Sequence, residues 1–288
     1  MTDSELKTHI SNLIELYTPY LYFHRDETCF PITIEKYLNE CNLCMNKSFK
    51  DSPDLDKYAI IDFEPTSSKL FEIGANPLYF LKFKQSDSLE TLKGDKSQTF
   101  CYVGVHIDDE SSGNYTFIYN YIYSHTEAYK CMNCLPYEFE SYAHLGDVKF
   151  NILYIRNNKI DSMFFGAHGT YGGQYVKKSN ISFVDSHPVV YVCRGDHSNY
   201  YDSGWHPRIF CAVCDVTSPD YLSKPTAIRI YDKNDSEFDL NTMGWLYFLG
   251  KMSPDGINAP MNQFYMETNY YNTISNNSFK RLCIPKYF

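Results

Sequence analysis

The sequence predicts a mainly β protein: an antiparallel, jelly-roll-like β-sandwich in one domain, preceded by a short N-terminal helix. Three observations predict it. Short aromatic and β-branched runs recur from Phe100 onward, turn residues separate them, and no long helical pattern lies between them. The 288 residues include 27 Tyr and 20 Phe, which favour strands and suit a folded chain with a large core.

Residues 4–16 read as a helix, with Ser4 as cap and Leu6, Ile10, Leu13 and Ile14 on one face. Residues 17–24 are strand-like, and 30–38 resemble a short helix. Residues 46–57 and 84–98, rich in Ser, Asp and Lys, read as exposed loops. Strands are then expected at Phe100–Ile107, Tyr115–Tyr123, Val148–Ile155, Ser162–Ala167, Val189–Cys193, Arg208–Val216 and Ala227–Tyr231, with 232–237 a surface loop. Residues 1–45 are taken as an extension packed on a sandwich formed by 46–288, since nothing marks a linker.

A net charge of −9 without a Lys/Arg cluster argues against duplex nucleic acid, which needs a basic face. A protein partner or self-association is expected instead, with peripheral membrane contact as a lesser alternative. No apolar run approaches the roughly 20 residues of a membrane span. The polar first residues do not resemble a secretory signal, so an intracellular protein is expected, or one packaged from a cell into a virion. The bias towards Tyr, Phe, Ile, Asn and Lys is what AT-rich codons give, as in a large DNA virus or a protist.

The run Ala143-His144-Leu145-Gly146-Asp147-Val148-Lys149 enters the apolar stretch from Phe150 to Ile155. A second histidine, His168, stands among glycines, and a third, His197, follows Gly195-Asp196. Loops at strand ends that carry His and Asp make polar pockets in all-β proteins. If 147–155 is a strand, Asp147 and Lys149 share a face, because side chains alternate with period two. His144 then lies in the approach loop, and His168 and His197 converge from neighbouring strand ends.

His144, Asp147 and His168 could form a mixed N/O site for a divalent cation. Lys149 opposes that reading, because an ammonium has no acceptor and repels a cation or pairs with Asp147 in its place. No cofactor is therefore expected, and a divalent cation stands as the alternative. A hydrolase of phosphoester or acyl substrates would use His144 or His168 as general base, Asp147 to orient it and Lys149 to stabilise an anion, with His197 converging on the same cluster. There is no G-x-S-x-G, and no cysteine is evidently paired with these histidines. The bland alternative is a hydrogen-bonded cluster that locks loops at one end of the sandwich.

Three C-x-x-C pairs occur, Cys41/Cys44, Cys131/Cys134 and Cys211/Cys214. Cys41 and Cys44, read as neighbours on a helix end, and Cys131 and Cys134, in a loop, are the candidates for a structural zinc. Cys211 and Cys214 lie in a strand-like run, which faces them apart. Buried thiols are the favoured reading of all three pairs. His24-Arg25-Asp26-Glu27 reads as a salt-bridged surface turn.

The order of motifs carries a resemblance. Tyr17 to Leu38, with its Pro19, His24, Glu27 and Pro31, resembles the opening of the vacuolar protein sorting-associated protein 62 family. His144-Leu145-Gly146-Asp147-Val148-Lys149 resembles that family's H-x-G-D-W-E. The segments Phe165–Gly173 and Pro188–Tyr200 are similar to later motifs, and Phe248–Pro260 echoes its ending. The H-x-x-D spacing is also similar to the core motif of necrosis- and ethylene-inducing-peptide-like cytolysins, β-sandwiches that hold a divalent cation near a membrane-binding face. On that resemblance His144 and Asp147 are retained, His168 matches a later histidine, Val148 replaces Trp and Lys149 replaces Glu. The resemblance implies a β-sandwich; Lys149 and the missing nucleophile favour a binding or structural role with a degenerate His/Asp pocket. A membrane-acting, cytolysin-like protein is a further alternative.

Overall fold

The structure, a computed structural model, describes residues 2–46, 58–74, 76, 78–84, 88–127, 129–130, 138–139, 144–167, 173–208, 213–231, 233–248 and 250–252. Helix α1 (Asp3–Tyr17) opens the chain. Its cap is Thr2, two residues before the expected Ser4, because Thr2 and Glu5 form a reciprocal capping box. Strand β1 (Tyr20–Phe23) and helix α2 (Ile34–Asn39), capped by Thr33, follow. Next come β2 (Cys41–Asn46), β3 (Tyr58–Asp62), α3 (Ser67–Ile73), β4 (Tyr79–Phe83) and α4 (Ser88–Leu92).

The long strands begin with β5 (Phe100–Asp109) and β6 (Asn114–Thr126), followed by the short β7 (Tyr129–Lys130) and β8 (Glu138–Phe139). Strand β9 (His144–Arg156) pairs along almost all its length with β6, from Tyr115↔Ile155 to Thr126↔His144. After it come β10 (Lys159–Phe165), β11 (Gln174–Lys177), β12 (Phe183–Val184), β13 (His187–Val192) and β14 (Asn199–Tyr200). A hairpin of β15 (Gly204–Arg208) and β16 (Val213–Thr217), then β17 (Tyr221–Ser223), β18 (Thr226–Arg229) and α5 (Leu240–Met243), complete the described elements.

Two sheets form the sandwich. One runs β11-β10-β9-β6-β5-β18; the other runs β12-β13-β1-β17, with β14 on β13. Pairing is mostly antiparallel, but β1 lies parallel to β13 and β18 parallel to β5. Between the sheets, Leu21, Phe23, Val190 and Val192 meet Tyr115, Phe117, Tyr119, Leu153 and Phe165, and Ile10, Leu13 and Ile14 of α1 join the same core. A second core covers the other face of the larger sheet, where Tyr102, Ile122 and Val148 pack against Tyr37 and Leu38 of α2, Leu43, Leu81 and Trp245. Strand β6 is thus buried on both faces. Its burial is accordingly nearly continuous, where a strand with one wet face would alternate.

Local readings differ from the structure in four places. His144 begins β9 and does not sit in an approach loop. The stretch read as one strand over Arg208–Val216 is divided between the paired strands β15 and β16. The polar stretch 84–98 contains α4, whose Leu92 is fully buried in the second core. Cys41 and Cys44 lie on β2, where cross-strand partners Phe83 and Phe80 hold them, and not on a helix end. No helix among the described residues is long and apolar enough to cross a membrane.

Candidate functional site

Strands β1 and β13 run side by side in the same direction, with Tyr20 opposite Val189 and Tyr22 opposite Tyr191. The segments that leave their C-terminal ends therefore emerge together. One carries Glu27 and Cys29, the other Cys193 to Ser198. Strand β9 supplies Asp147 and Lys149 from the facing sheet, and β6 supplies Tyr123 opposite Asp147.

Two glycines make these approaches work. Gly146 has φ +70°, and a Cβ there would come within 2.7 Å of the Tyr37 hydroxyl, so only glycine lets β9 pass α2 at this point. Gly195 has φ +73° and directs its N–H to Glu27 Oε2 at 2.8 Å. The turn is closed by His197 N–H donating to the Cys193 carbonyl at 3.0 Å, with His197 itself at φ +61°.

His197 is the centre of the site. It is fully buried and stacks on Tyr123, with ring centroids 3.9 Å apart and planes within 3°. Its Nδ1 donates to Asp147 Oδ2 at 3.2 Å, and its Nε2 lies 3.6 Å from Glu27 Oε1. Glu27 Oε1 also accepts from the backbone N–H groups of Thr28 and Cys29, each at 2.9 Å. On the far side of Asp147, Lys149 Nζ approaches Oδ2 at 3.3 Å and Asp196 Oδ1 at 4.0 Å. Asp196 also accepts a short hydrogen bond from Ser198 Oγ.

The electrostatics follow from this alternation of sign. Burial opposes charge on Asp147, but Lys149 and then His197 outweigh it and hold the carboxyl at about 2. Burial likewise opposes charge on His197, and the carboxylates of Glu27 and Asp147 overcome it, so the ring is held well above its ordinary value, in favour of the imidazolium. Glu27 is held down in turn by His197 and by the Gly195 and Cys29 amides, against its burial. Lys149 is raised by Asp147 and Asp196, again against burial. Two cations interleaved with carboxylates satisfy one another inside the protein, which is the condition under which buried charge is tolerated.

A thiol adjoins this network. The Cys29 Sγ lies 3.3 Å from Ser124 Oγ, which lies 2.9 Å from His125 Nδ1. Burial would raise the thiol, yet hydrogen bonds to His125 and His197 bring it down to about 6. Cys29, His197 and Asp147 thus stand in the order of a thiol, an imidazole and an orienting carboxylate. The sequence pairs no cysteine with these histidines, and here the structure corrects it. All three side chains are at most 2% exposed, which leaves the sulfur no access to a substrate.

Among the described residues, Cys193, Asp196 and Asp215 bring a thiol and two carboxylates within 4.8 Å of one another. Asp215 accepts from Tyr200 Oη at 2.6 Å. These are not the residues that the H-x-x-D spacing singles out as metal ligands.

Of the expected site residues, Asp147, Lys149 and His197 meet directly. His144 stands beside them, half-buried, with Nδ1 donating to the Gly146 carbonyl at 2.9 Å. Burial lowers its pKa, which the Asp147 carboxylate partly restores. His168, Cys131 and Cys134 lie outside the described residues, as do Cys211 and the segment from residue 253 onward. Cys41 and Cys44 are fully buried, and burial pushes both thiols up, Cys44 to about 11.

Glu27 is the residue the sequence reading misses. His24, Arg25 and Asp26 do form the expected surface turn, with Arg25 and Asp26 bridged to Asp220 and Arg194. Glu27 points the other way and is 7% exposed. Its signal was present in the opening motif, where the glutamate closes a His-x-x-Glu spacing next to a strand.

The fold and the site together define a β-sandwich protein with an ion-pair network buried at the ends of a parallel strand pair. The family model for vacuolar protein sorting-associated protein 62 matches residues 4–207, and the chain belongs to that family. The match contains the whole network and stops short of the Phe248–Pro260 echo. Among curated proteins, none matches the chain. Two solved structures are similar. One is necrosis and ethylene inducing protein 2 from the causal agent of cocoa's witches' broom disease, with 12% identity, a TM-score of 0.36 and coverage of 75% of this chain and 72% of that one. The other is described as a toxin fold for microbial attack and plant defense, with 11% identity, a TM-score of 0.36 and coverage of 77% and 74%.

Proposed function

We propose that this chain is a non-catalytic member of its family, with a binding or structural role. In this reading its His/Asp pocket has exchanged a bound cation for the ammonium of Lys149. The observation that carries the reading is the position of Lys149, with Nζ 3.3 Å from Asp147 and 4.0 Å from Asp196 and the side chain only 12% exposed. An ammonium there fills the electrostatic need of both carboxylates, so a divalent ion would have to displace it against its own repulsion. His197, protonated and clamped between Glu27 and Asp147, has no lone pair with which to act as general base. What remains is a rigid end of a sandwich that presents its surface to a partner. Exposed Phe63 and Trp205, at 67% and 65%, support a protein partner or self-association.

Elemental analysis of purified protein tests this reading. No stoichiometric divalent metal is expected. A stoichiometric metal that Asp147→Asn removes would overturn it.

One observation favours a second reading. The order Cys29–His197–Asp147, with a thiol at about 6, is that of a cysteine nucleophile for acyl transfer. It requires an opening that exposes Cys29. Turnover of a thioester or activated ester that Cys29→Ser abolishes without loss of thermal stability would establish it in place of the first reading. Flotation with anionic liposomes, with and without Ca²⁺, tests a cytolysin-like action, and no flotation in either condition is expected.

A further inference from the structure

At the end of β1 and β13 opposite the ion-pair network, beside the last turns of α1, lies a cleft of about 480 Å³. That volume falls within the range of small-molecule sites, about 300–1,000 Å³. Two cations line it, Lys224 between β17 and β18 and Arg229 at the end of β18. Lys224 Nζ lies 5.1 Å from the centroid of the Tyr20 ring. Arg229 donates from Nη1 to the Lys7 carbonyl at 3.3 Å, but its Nε is buried without a hydrogen-bond partner among the described residues. The guanidinium also lies over the Tyr231 ring, 4.7 Å from its centroid, and together with the Lys224 ammonium it gives the cleft charged N–H donors suited to an anion.

The rest of the lining is aromatic and polar. Tyr20 and His187 stack with centroids 4.0 Å apart and planes at 11°. His187 Nδ1 donates to the Thr18 carbonyl at 2.8 Å, which leaves Nε2 as the ring nitrogen for a hydroxyl group, a partner that can donate or accept. Glu15 adds a carboxylate to the same lining. Two cations against one carboxylate favour an anion, and the His187 ring and the Glu15 carboxylate favour one that carries hydroxyl groups.

We propose that this cleft binds a small hydroxylated organic anion. Its carboxylate or phosphate would be held by Arg229 and Lys224, and its hydroxyls by His187 Nε2 and Glu15. The site is separate from the network of Asp147 and Lys149 and does not depend on the role assigned to it.

Calorimetric titration of the full chain with ribose 5-phosphate, gluconate and uncharged ribose tests the proposal. Saturable binding of at least one of the two anions is expected, the phosphate and carboxylate arms showing which head group is preferred. Ribose should bind at least about tenfold more weakly, since a charged hydrogen bond is lost. Lys224→Gln, at the cleft mouth, should weaken the anion by roughly tenfold with an unchanged melting temperature, and Arg229→Gln by more if it folds. The proposal is overturned if neither anion binds at concentrations up to about 10 mM, if ribose binds equally well, or if Lys224→Gln leaves the affinity unchanged.

Discussion

Lys149 Nζ and Asp147 Oδ2 lie 3.3 Å apart on one face of β9, the lysine 12% and the aspartate 2% exposed. Two residues apart on a strand, they project to the same side, so the contact is built into the local backbone. The same carboxylate oxygen accepts from His197, which lies 50 residues away in the sequence. Asp147 is therefore where a local pair and a long-range pair are joined.

Removing the ammonium while keeping its volume should be strongly destabilising. Lys149→Met leaves Asp147 and Asp196 short of a cation in a buried setting, a type of change that costs about 3–5 kcal/mol. Urea unfolding should show the midpoint falling with the slope unchanged.

Acid should expose the contribution of Asp147. Its carboxyl is held at about 2 in the folded protein against 3.8 without these neighbours. As pH falls the unfolded chain takes up this proton first, so the stabilisation is complete above about pH 5 and is lost through about pH 2. The difference corresponds to roughly 2 kcal/mol. Stability measured between pH 5 and 2 should fall more steeply in the native protein than in Asp147→Asn, whose curve lacks this step.

Glu27 should govern the charge of His197. In the native protein the ring's NMR signals should show an imidazolium at pH 7, because both carboxylates outweigh its burial. The folded-state value is raised, so this stabilisation is full below about pH 6 and disappears as pH rises through the folded value. Glu27→Gln should move the titration towards neutrality and shift that alkaline loss of stability to lower pH. An unchanged His197 titration would show that Glu27 acts only through the Gly195 and Cys29 amides.

Cys29 should be ionised yet inert. At about 6, the thiol is largely thiolate at pH 7, but its side chain has no exposed surface. Mass spectrometry after treatment with iodoacetamide should find Cys29 unmodified in folded protein and modified once urea unfolds it. Rapid labelling of the folded form would instead favour the nucleophile reading.

The β-rich architecture was legible because aromatic and β-branched runs mark strands whatever their partners. The shared face of Asp147 and Lys149 was legible because period two is a local property. Glu27 was hidden because His24-Arg25-Asp26 looks solvated, and what buries the glutamate is the Gly195 amide, 168 residues away. Cys41 and Cys44 suggested a helix end because α2 stops just before them, and only pairing with β4 shows a strand. Helix α4 left no clear mark because Leu92, which anchors it in the second core, sits in a polar stretch. The parallel alignment of β1 and β13, which brings Glu27 to His197, joins segments far apart in the chain and leaves no periodic mark.

The central claim is that Lys149 occupies the electrostatic place of a cation, and Lys149→Glu tests it most directly. Melting temperatures of the native protein and the variant would be compared with EDTA and with Mg²⁺, Ca²⁺ or Mn²⁺. The native protein should be indifferent to all three ions. The variant should be destabilised in EDTA and recover several degrees with at least one ion, as carboxylates freed of their ammonium take up a metal. A native protein stabilised by a divalent ion, or a folded variant that no ion stabilises, would contradict it.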